Sequence, residues 1–408
     1  MQNSNSVIKN IDKRLSTRRL FYVCRDIERA VGIDLTLQNY YIITNHNDYS
    51  AKLTLQYPHI IIIKEKEQLD TRSLLTHIKT KNIIKKKDFV LVFKSNTLIE
   101  AQCKKNGWKL LNPNAKLADK IEGKISQIYW LGKLAKYLPP HRVDVCANVK
   151  WEGKPFILQF SHAHTGSGTV LINSKKKLSE LAKKFPLREA RITKYIKGPV
   201  FTNNNVVWGD KILTGNINYQ ITGLSPFTEN KYATIGNDWA LPNQLLNNKQ
   251  IKQYKQIATE IGKQLKKDGW KGLFGVDIIA EEKTGRLFLL EINARQPAST
   301  TFESQLQQKS EVRNQKSEIT TFEAHLASLL NLPNDNYTLI SIHDGAQIIQ
   351  RVTNQINKPQ APKIKDSALV NIIKYNNTSP GSDLVRFQFS KGLMKKHNIL
   401  NDLGKKII

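Results

Sequence analysis

The chain has 408 residues, 40% of them hydrophobic, and a formal net charge of +29 from 63 Lys and Arg against 34 Asp and Glu. That length exceeds one ordinary core and predicts two or three domains. No apolar run reaches the ~18 residues of a spanning helix, and the polar start lacks the apolar segment of a secretory signal.

In chain order, residues 40–44, 59–63 and 89–93 read as buried strands, and 70–79 and 96–105 as helices with Asp70 and Asn96 as N-caps. This alternation predicts a small doubly wound α/β domain with a parallel sheet, ending near Asn112-Pro113-Asn114 at about residue 115. Residues 118–137 read as one helix that stops before Pro139-Pro140. Two strands, 156–160 and 169–172, flank His162-Ala163-His164-Thr165-Gly166-Ser167-Gly168, and a helix over 174–184 follows. Ile251, Tyr254, Ala258, Ile261 and Leu265 recur at spacings of 3, 4, 3 and 4, which predicts an amphipathic helix stopped by Gly269. Residues 305–317 read as a mobile loop or exposed helix. The tail carries a strand over 346–352 and a turn at Ser379-Pro380-Gly381-Ser382.

Residues 275–295 carry the strongest chemical signal. Two apolar, partly β-branched runs, 274–280 and 287–292, flank a polar turn with Gly285, and each run is interrupted by an acidic residue, Asp277 and Glu291. A three-residue loop of Lys283, Thr284 and Gly285 would be centred on Thr284. Asp277 lies seven residues before that centre and Glu291 seven after, so the two are expected directly opposite, about 5 Å apart at Cβ, with Asn293 on the same face. Carboxylates that close repel unless a cation or proton lies between them, and such hard oxygen ligands suit Mg²⁺ or Mn²⁺. Ile278 and Ile292 are expected on the other face.

Gly166-Ser167-Gly168 between two strands suits a loop that lays backbone N–H groups over phosphates, where a side chain would block close approach. With the acidic hairpin, and with Glu291-Ile292-Asn293-Ala294-Arg295 on its second strand, the chain resembles the ATP-grasp superfamily over about residues 116–330. The resemblance implies an α/β protein with an α+β nucleotide domain: an ATP-grasp fold preceded by a Rossmann-like domain (1–115), subdomains at 116–202 and 203–332, and a small C-terminal region (333–408). It implies Asp277, Glu291 and Asn293 as ligands of the Mg²⁺ (or Mn²⁺) that bridges ATP phosphates, and Arg295 as the catalytic arginine. For ATP it implies Lys120, from Asp119-Lys120 ahead of the loop, with Lys124 as the competing lysine. It adds His164, Gly166, Ser167 and Gly168 from the loop, and Thr193, Lys194, Tyr195 and Ile196 from a hinge read in Arg191-Ile192-Thr193-Lys194-Tyr195-Ile196-Lys197-Gly198. Gln159 stands where the family commonly has a lysine on the strand entering the loop.

The implied activity is an ATP-dependent ligase that makes an acylphosphate from a carboxylate and joins it to an amine or thiol. A non-catalytic nucleotide-binding protein, suggested by Gln159, and a kinase on the same scaffold are the alternatives. Expected partners are small carboxylate and amine substrates, with a homodimer left open and no membrane. Three scattered cysteines, Cys24, Cys103 and Cys146, argue against a disulfide framework and fit a cytoplasmic setting. The positive field attracts polyanions, but its charges are dispersed among abundant Lys, Asn and Ile, and nucleic acid is not expected as a partner.

Overall fold

A computed structural model describes residues 6–161, 168–310, 317–334, 336–358, 366–375 and 377–408. The first unit is a parallel sheet of β1 (Leu20–Val23), β2 (Tyr40–Asn45), β3 (Ile60–Ile63), β4 (Phe89–Val92) and β5 (Lys109–Leu110), in the order β3-β2-β1-β4-β5. The central strand β1 has no counterpart in the sequence reading. It is four residues long and follows directly on Arg18 and Arg19, yet all four of its side chains are buried. Asp70 and Asn96 cap their helices by accepting from the N–H groups of Ser73 and Ile99.

The helix expected over 118–137 is instead three pieces: Ala115–Glu122, Ser126–Leu131 and the 3₁₀ turn Gly132–Tyr137. Gly123 leaves the helical range at φ −64°, ψ 127°, and the chain turns there, carrying Lys124 off the helix axis.

A four-stranded antiparallel sheet follows, with β6 (His141–Val145), β7 (Phe156–Phe160), β8 (Thr169–Ile172) and β9 (Glu189–Lys194) in the order β6-β9-β7-β8. Along β7, Phe156, Leu158 and Phe160 face a small core, and Ile157 and Gln159 face the opposite way.

The largest sheet has nine strands among the described residues. It contains β10 (Val200–Trp208), β11 (Lys211–Leu213), β12 (Ile217–Thr222), β13 (Thr234–Asp238), β14 (Gly272–Ala280) and β15 (Leu287–Asn293). After the two-residue strands β16 (Glu318–Ile319) and β17 (Thr338–Leu339), the chain returns to it with β18 (Ala346–Arg351), β19 (Leu369–Lys374) and β20 (Asp383–Phe389). The tail thus extends the central sheet, and Ile348, Phe387 and Phe389 share a core with Phe274, Ile278 and Ile292. The amphipathic helix forms as Asn248–Lys267 and buries Tyr254, Ala258, Ile261 and Leu265 in that core, with Gly269 at φ +82° just past its end. Helix Thr321–Leu329 joins the first unit to the rest, since Phe322 and Leu326 share a core with Leu20 and Tyr22. Among the described residues no helix is long and apolar enough to cross a membrane.

Candidate functional site

Asp277 and Glu291 are register partners across β14 and β15, and Asn293 lies opposite Gly275 on the same side. The route to this arrangement differs from the one expected. Glu281 N–H donates to the Arg286 carbonyl at 2.9 Å and Gly285 N–H to the Glu281 carbonyl at 2.8 Å, so the turn is the four residues 282–285 rather than 283–285. Continued without interruption, that ladder would set Asp277 opposite Leu290 and turn Glu291 towards the core. A β-bulge between Asp277 and Ile278 absorbs Leu290 and moves Glu291 back to the carboxylate face. Ile278 and Ile292 are fully buried on the other face, as expected.

The two carboxylates are unequal. Lys124 Nζ lies 2.8 Å from Glu291 Oε1. Asp277 Oδ2 accepts from Asn293 Nδ2 at 3.2 Å, and its buried Oδ1 takes no hydrogen bond among the described residues. Burial and then the Glu291 charge raise Asp277 above the usual carboxylate range, opposed by Thr202, Gln220 and Asn293. Burial also works to raise Glu291, but Lys124, Arg295 and Arg191 outweigh it and hold Glu291 below its ordinary value. Among the described residues no three His, Cys, Asp or Glu side chains gather as a metal site. Asp277, Glu291 and Asn293 offer two carboxylates and an amide, a hard-oxygen set in which one buried oxygen is unmatched, and this fits a Mg²⁺ that keeps part of its water shell.

The lysine that reaches this pair is Lys124, not Lys120. Lys120, taken from Asp119-Lys120 ahead of the loop, is exposed on helix Ala115–Glu122, and the chain leaves that helix at Gly123 before Lys124. Arg295 pairs with Glu122, which also binds Lys94 at 2.5 Å from the end of the first sheet. Burial works to lower Arg295, but Glu122 and Glu291 more than offset it and raise it further above its usual range.

A cavity of about 330 Å³ opens between the two antiparallel sheets, with Gln159 and Arg191 on one wall and Asp277, Ile279 and Glu291 on the other. The hinge expected in 191–198 crosses its end. Thr193 is buried on β9, and the Lys194 N–H is taken by the Pro140 carbonyl at 2.9 Å, with its ammonium 3.0 Å from Glu281. Tyr195 and Ile196 line the cavity, and Ile196 packs with Ile279 and Phe288. Gly198 crosses β14 so closely that a Cβ there would lie 1.8 Å from the Ala280 carbonyl oxygen.

Gln159 is at the cavity wall but makes a bracket. Its Oε1 accepts from Arg191 Nε at 2.9 Å and Nη2 at 2.5 Å, and its Nε2 donates to Thr169 Oγ1 at 3.1 Å. Burial lowers Arg191 to about 10, against the opposing pull of Glu291, so it stays charged at neutral pH. Arg191 and Glu122 are residues to which the sequence assigned no role, and Lys124 entered only as the competitor of Lys120. For Arg191 the signal was present in strand alternation, which puts it on the face of Thr193. Gly168 immediately precedes β8, while His162, His164, Gly166 and Ser167 lie outside the described residues.

Neither a family model nor a curated protein matches the chain. Solved structures do. N5-carboxyaminoimidazole synthetase from Staphylococcus aureus matches with a TM-score of 0.60 at 12% identity, covering 96% of this chain and 95% of that one. Carboxyaminoimidazole ribonucleotide synthase from Aspergillus clavatus, complexed with ATP, matches at 0.60 and 14% identity over 96% of each chain. The biotin carboxylase domain of 2-oxoglutarate carboxylase from Hydrogenobacter thermophilus, with MgADP and bicarbonate, matches at 0.63 and 12% identity over 92% of this chain and 86% of that one. At such identities the likeness speaks for architecture, and it spans nearly the whole length: this chain has the ATP-grasp fold.

Proposed function

We propose that this protein is an ATP-dependent ligase that activates a substrate carboxylate as an acylphosphate and joins it to an amine, or less often a thiol, with release of ADP and phosphate. The observation that carries the reading is the unequal carboxylate pair on the wall of the inter-sheet cavity, with Asp277 Oδ1 buried and without a hydrogen-bond partner among the described residues beside Glu291. The fold adds support, because neighbours that share it were solved with ATP or MgADP.

Bound Mg²⁺ would neutralise the phosphate oxygens, and Asp277, Glu291 and Asn293 would hold it. Every other part belongs to the chain itself. Tyr195 and Ile196 close the hinge end of the cavity, where Ile196 and Ile279 give an apolar floor to a purine. Lys124 balances the Glu291 charge, so the site is not left doubly anionic. Arg295, held by Glu122 on the side facing Lys94 and the first sheet, orients the carboxylate by its planar fork. The carboxylate oxygen attacks the γ-phosphorus, ADP leaves, and the amine then displaces phosphate from the acyl carbon. Rate comes from positioning and charge rather than from a protein nucleophile.

The test is incubation of the full chain with Mg-ATP and a matrix of acids and amines. Bicarbonate is the first acid to try, since it is bound in the 2-oxoglutarate carboxylase structure. Release of ADP and phosphate that needs both an acid and an amine is expected. ADP formed with a stable phosphorylated product and no amine makes the protein a kinase, and nucleotide binding with no turnover on any pair makes it non-catalytic.

A further inference from the structure

We infer that Arg191 is the cation that grips the nucleotide phosphates in this chain, taking over on β9 the charge that Gln159 lacks on β7. The inference rests on the nucleotide reading above and names a residue for it.

Gln159 and Arg191 are register partners on adjacent antiparallel strands, and both face the inter-sheet cavity. Arg191 is only 4% exposed. Its Nε and Nη2 are occupied by Gln159 Oε1, and Nη2 also reaches the Leu290 carbonyl at 3.4 Å. Nη1 is buried and has no hydrogen-bond partner among the described residues. A guanidinium with one edge pinned and the other edge unmatched, lining a cavity beside Asp277 and Glu291, is preset for an anion. Glu291 acts on it through space, but among the described residues makes its ion pair with Lys124.

Gln159 fits this role better than lysine would. Thr169 fixes the direction of its amide, so Oε1 points at Arg191. A lysine at 159 would set two cations directly opposite each other, roughly 5 Å apart at Cβ. Neutral 159 and cationic 191 therefore form one arrangement, with the positive charge moved one strand across.

The experiment is calorimetric binding of Mg-ADP and of adenosine to the wild type, Arg191→Gln, Gln159→Lys and the double variant Gln159→Lys/Arg191→Gln. Circular dichroism checks that each is folded. Loss of a charge-assisted hydrogen bond predicts about ten- to hundredfold weaker Mg-ADP binding by Arg191→Gln, with adenosine affinity unchanged. The double variant should recover at least part of the Mg-ADP affinity. Equal Mg-ADP affinity in wild type and Arg191→Gln overturns this inference and leaves the ligase reading intact. Equal loss for adenosine and Mg-ADP also overturns it, because it makes Arg191 a wall of the cavity. A wild type that binds no Mg-ADP removes both readings together.

Discussion

Replacing Asp277 with Asn should make the protein more stable without magnesium and less responsive to it. Asp277 has a buried oxygen with no hydrogen-bond partner among the described residues and stands opposite a second carboxylate. An unmatched buried polar atom costs about 1–3 kcal/mol. Two charges about 5 Å apart at an effective dielectric near 20 repel by roughly 3 kcal/mol, which Lys124 partly cancels. Asn keeps an oxygen for Asn293 Nδ2 and puts its NH2 where Oδ1 stood, so the relief comes from the charge, and a net gain of about 1–2 kcal/mol is expected in EDTA. The sign with pH follows from the raised native pKa of Asp277. Protonation stabilises the native wild type, so its deficit grows as pH rises through that raised pKa, and the advantage of Asn vanishes below about pH 4. Magnesium reverses the order. At a hundredfold excess over its dissociation constant, a ligand that binds only the native state adds about 2.7 kcal/mol, to the wild type alone. Thermal melts in EDTA and in Mg-ADP, at pH 7 and at low pH, read all of this. A variant less stable than wild type in EDTA, or one that gains as much from Mg-ADP, would refute the reasoning.

Three further outcomes are expected. Lys124→Met should cost about 1–2 kcal/mol in chemical denaturation because it strips Glu291 of its counter-charge, whereas Lys120→Met should stay within about 0.5 kcal/mol; equal effects would remove the distinction between the two lysines. Gly198→Ala should lower stability by at least about 2 kcal/mol, since the new Cβ meets the Ala280 carbonyl and the strands must separate; an unchanged melting temperature would contradict that geometry. His325 is buried, accepts the Leu273 N–H on Nδ1 at 3.1 Å, and is lowered by burial to about 3. Its native pKa lies below the unfolded value near 6.5, so stability is lost as pH falls from about 6.5 towards 3, by at most about 5 kcal/mol. His325→Asn should flatten that part of the pH–stability profile, and a profile of unchanged slope would argue against a neutral buried imidazole.

The sequence by itself determined the parts whose physics is local. Alternation along two strands of fixed pleat put Asp277, Glu291 and Asn293 on one face and Ile278 and Ile292 on the other. A 3–4 spacing defined the helix Asn248–Lys267, and Asp70 and Asn96 marked helix starts because a cap needs only its own first turn. Even there the facing pair was reached through a longer turn and a compensating bulge, since turn length and bulge depend on packing over the whole ribbon. Tertiary structure decided which cation meets which carboxylate. The Asp119-Lys120 motif pointed to Lys120, and only the break at Gly123, with the packing of that segment against β15, delivers Lys124 to Glu291. Arg191 looked like one residue of a strand until β7 laid Gln159 beside it and the large sheet closed the cavity over both. Side-chain direction is a property of a few residues, whereas charge pairing across a cleft belongs to segments that approach one another only when the chain folds.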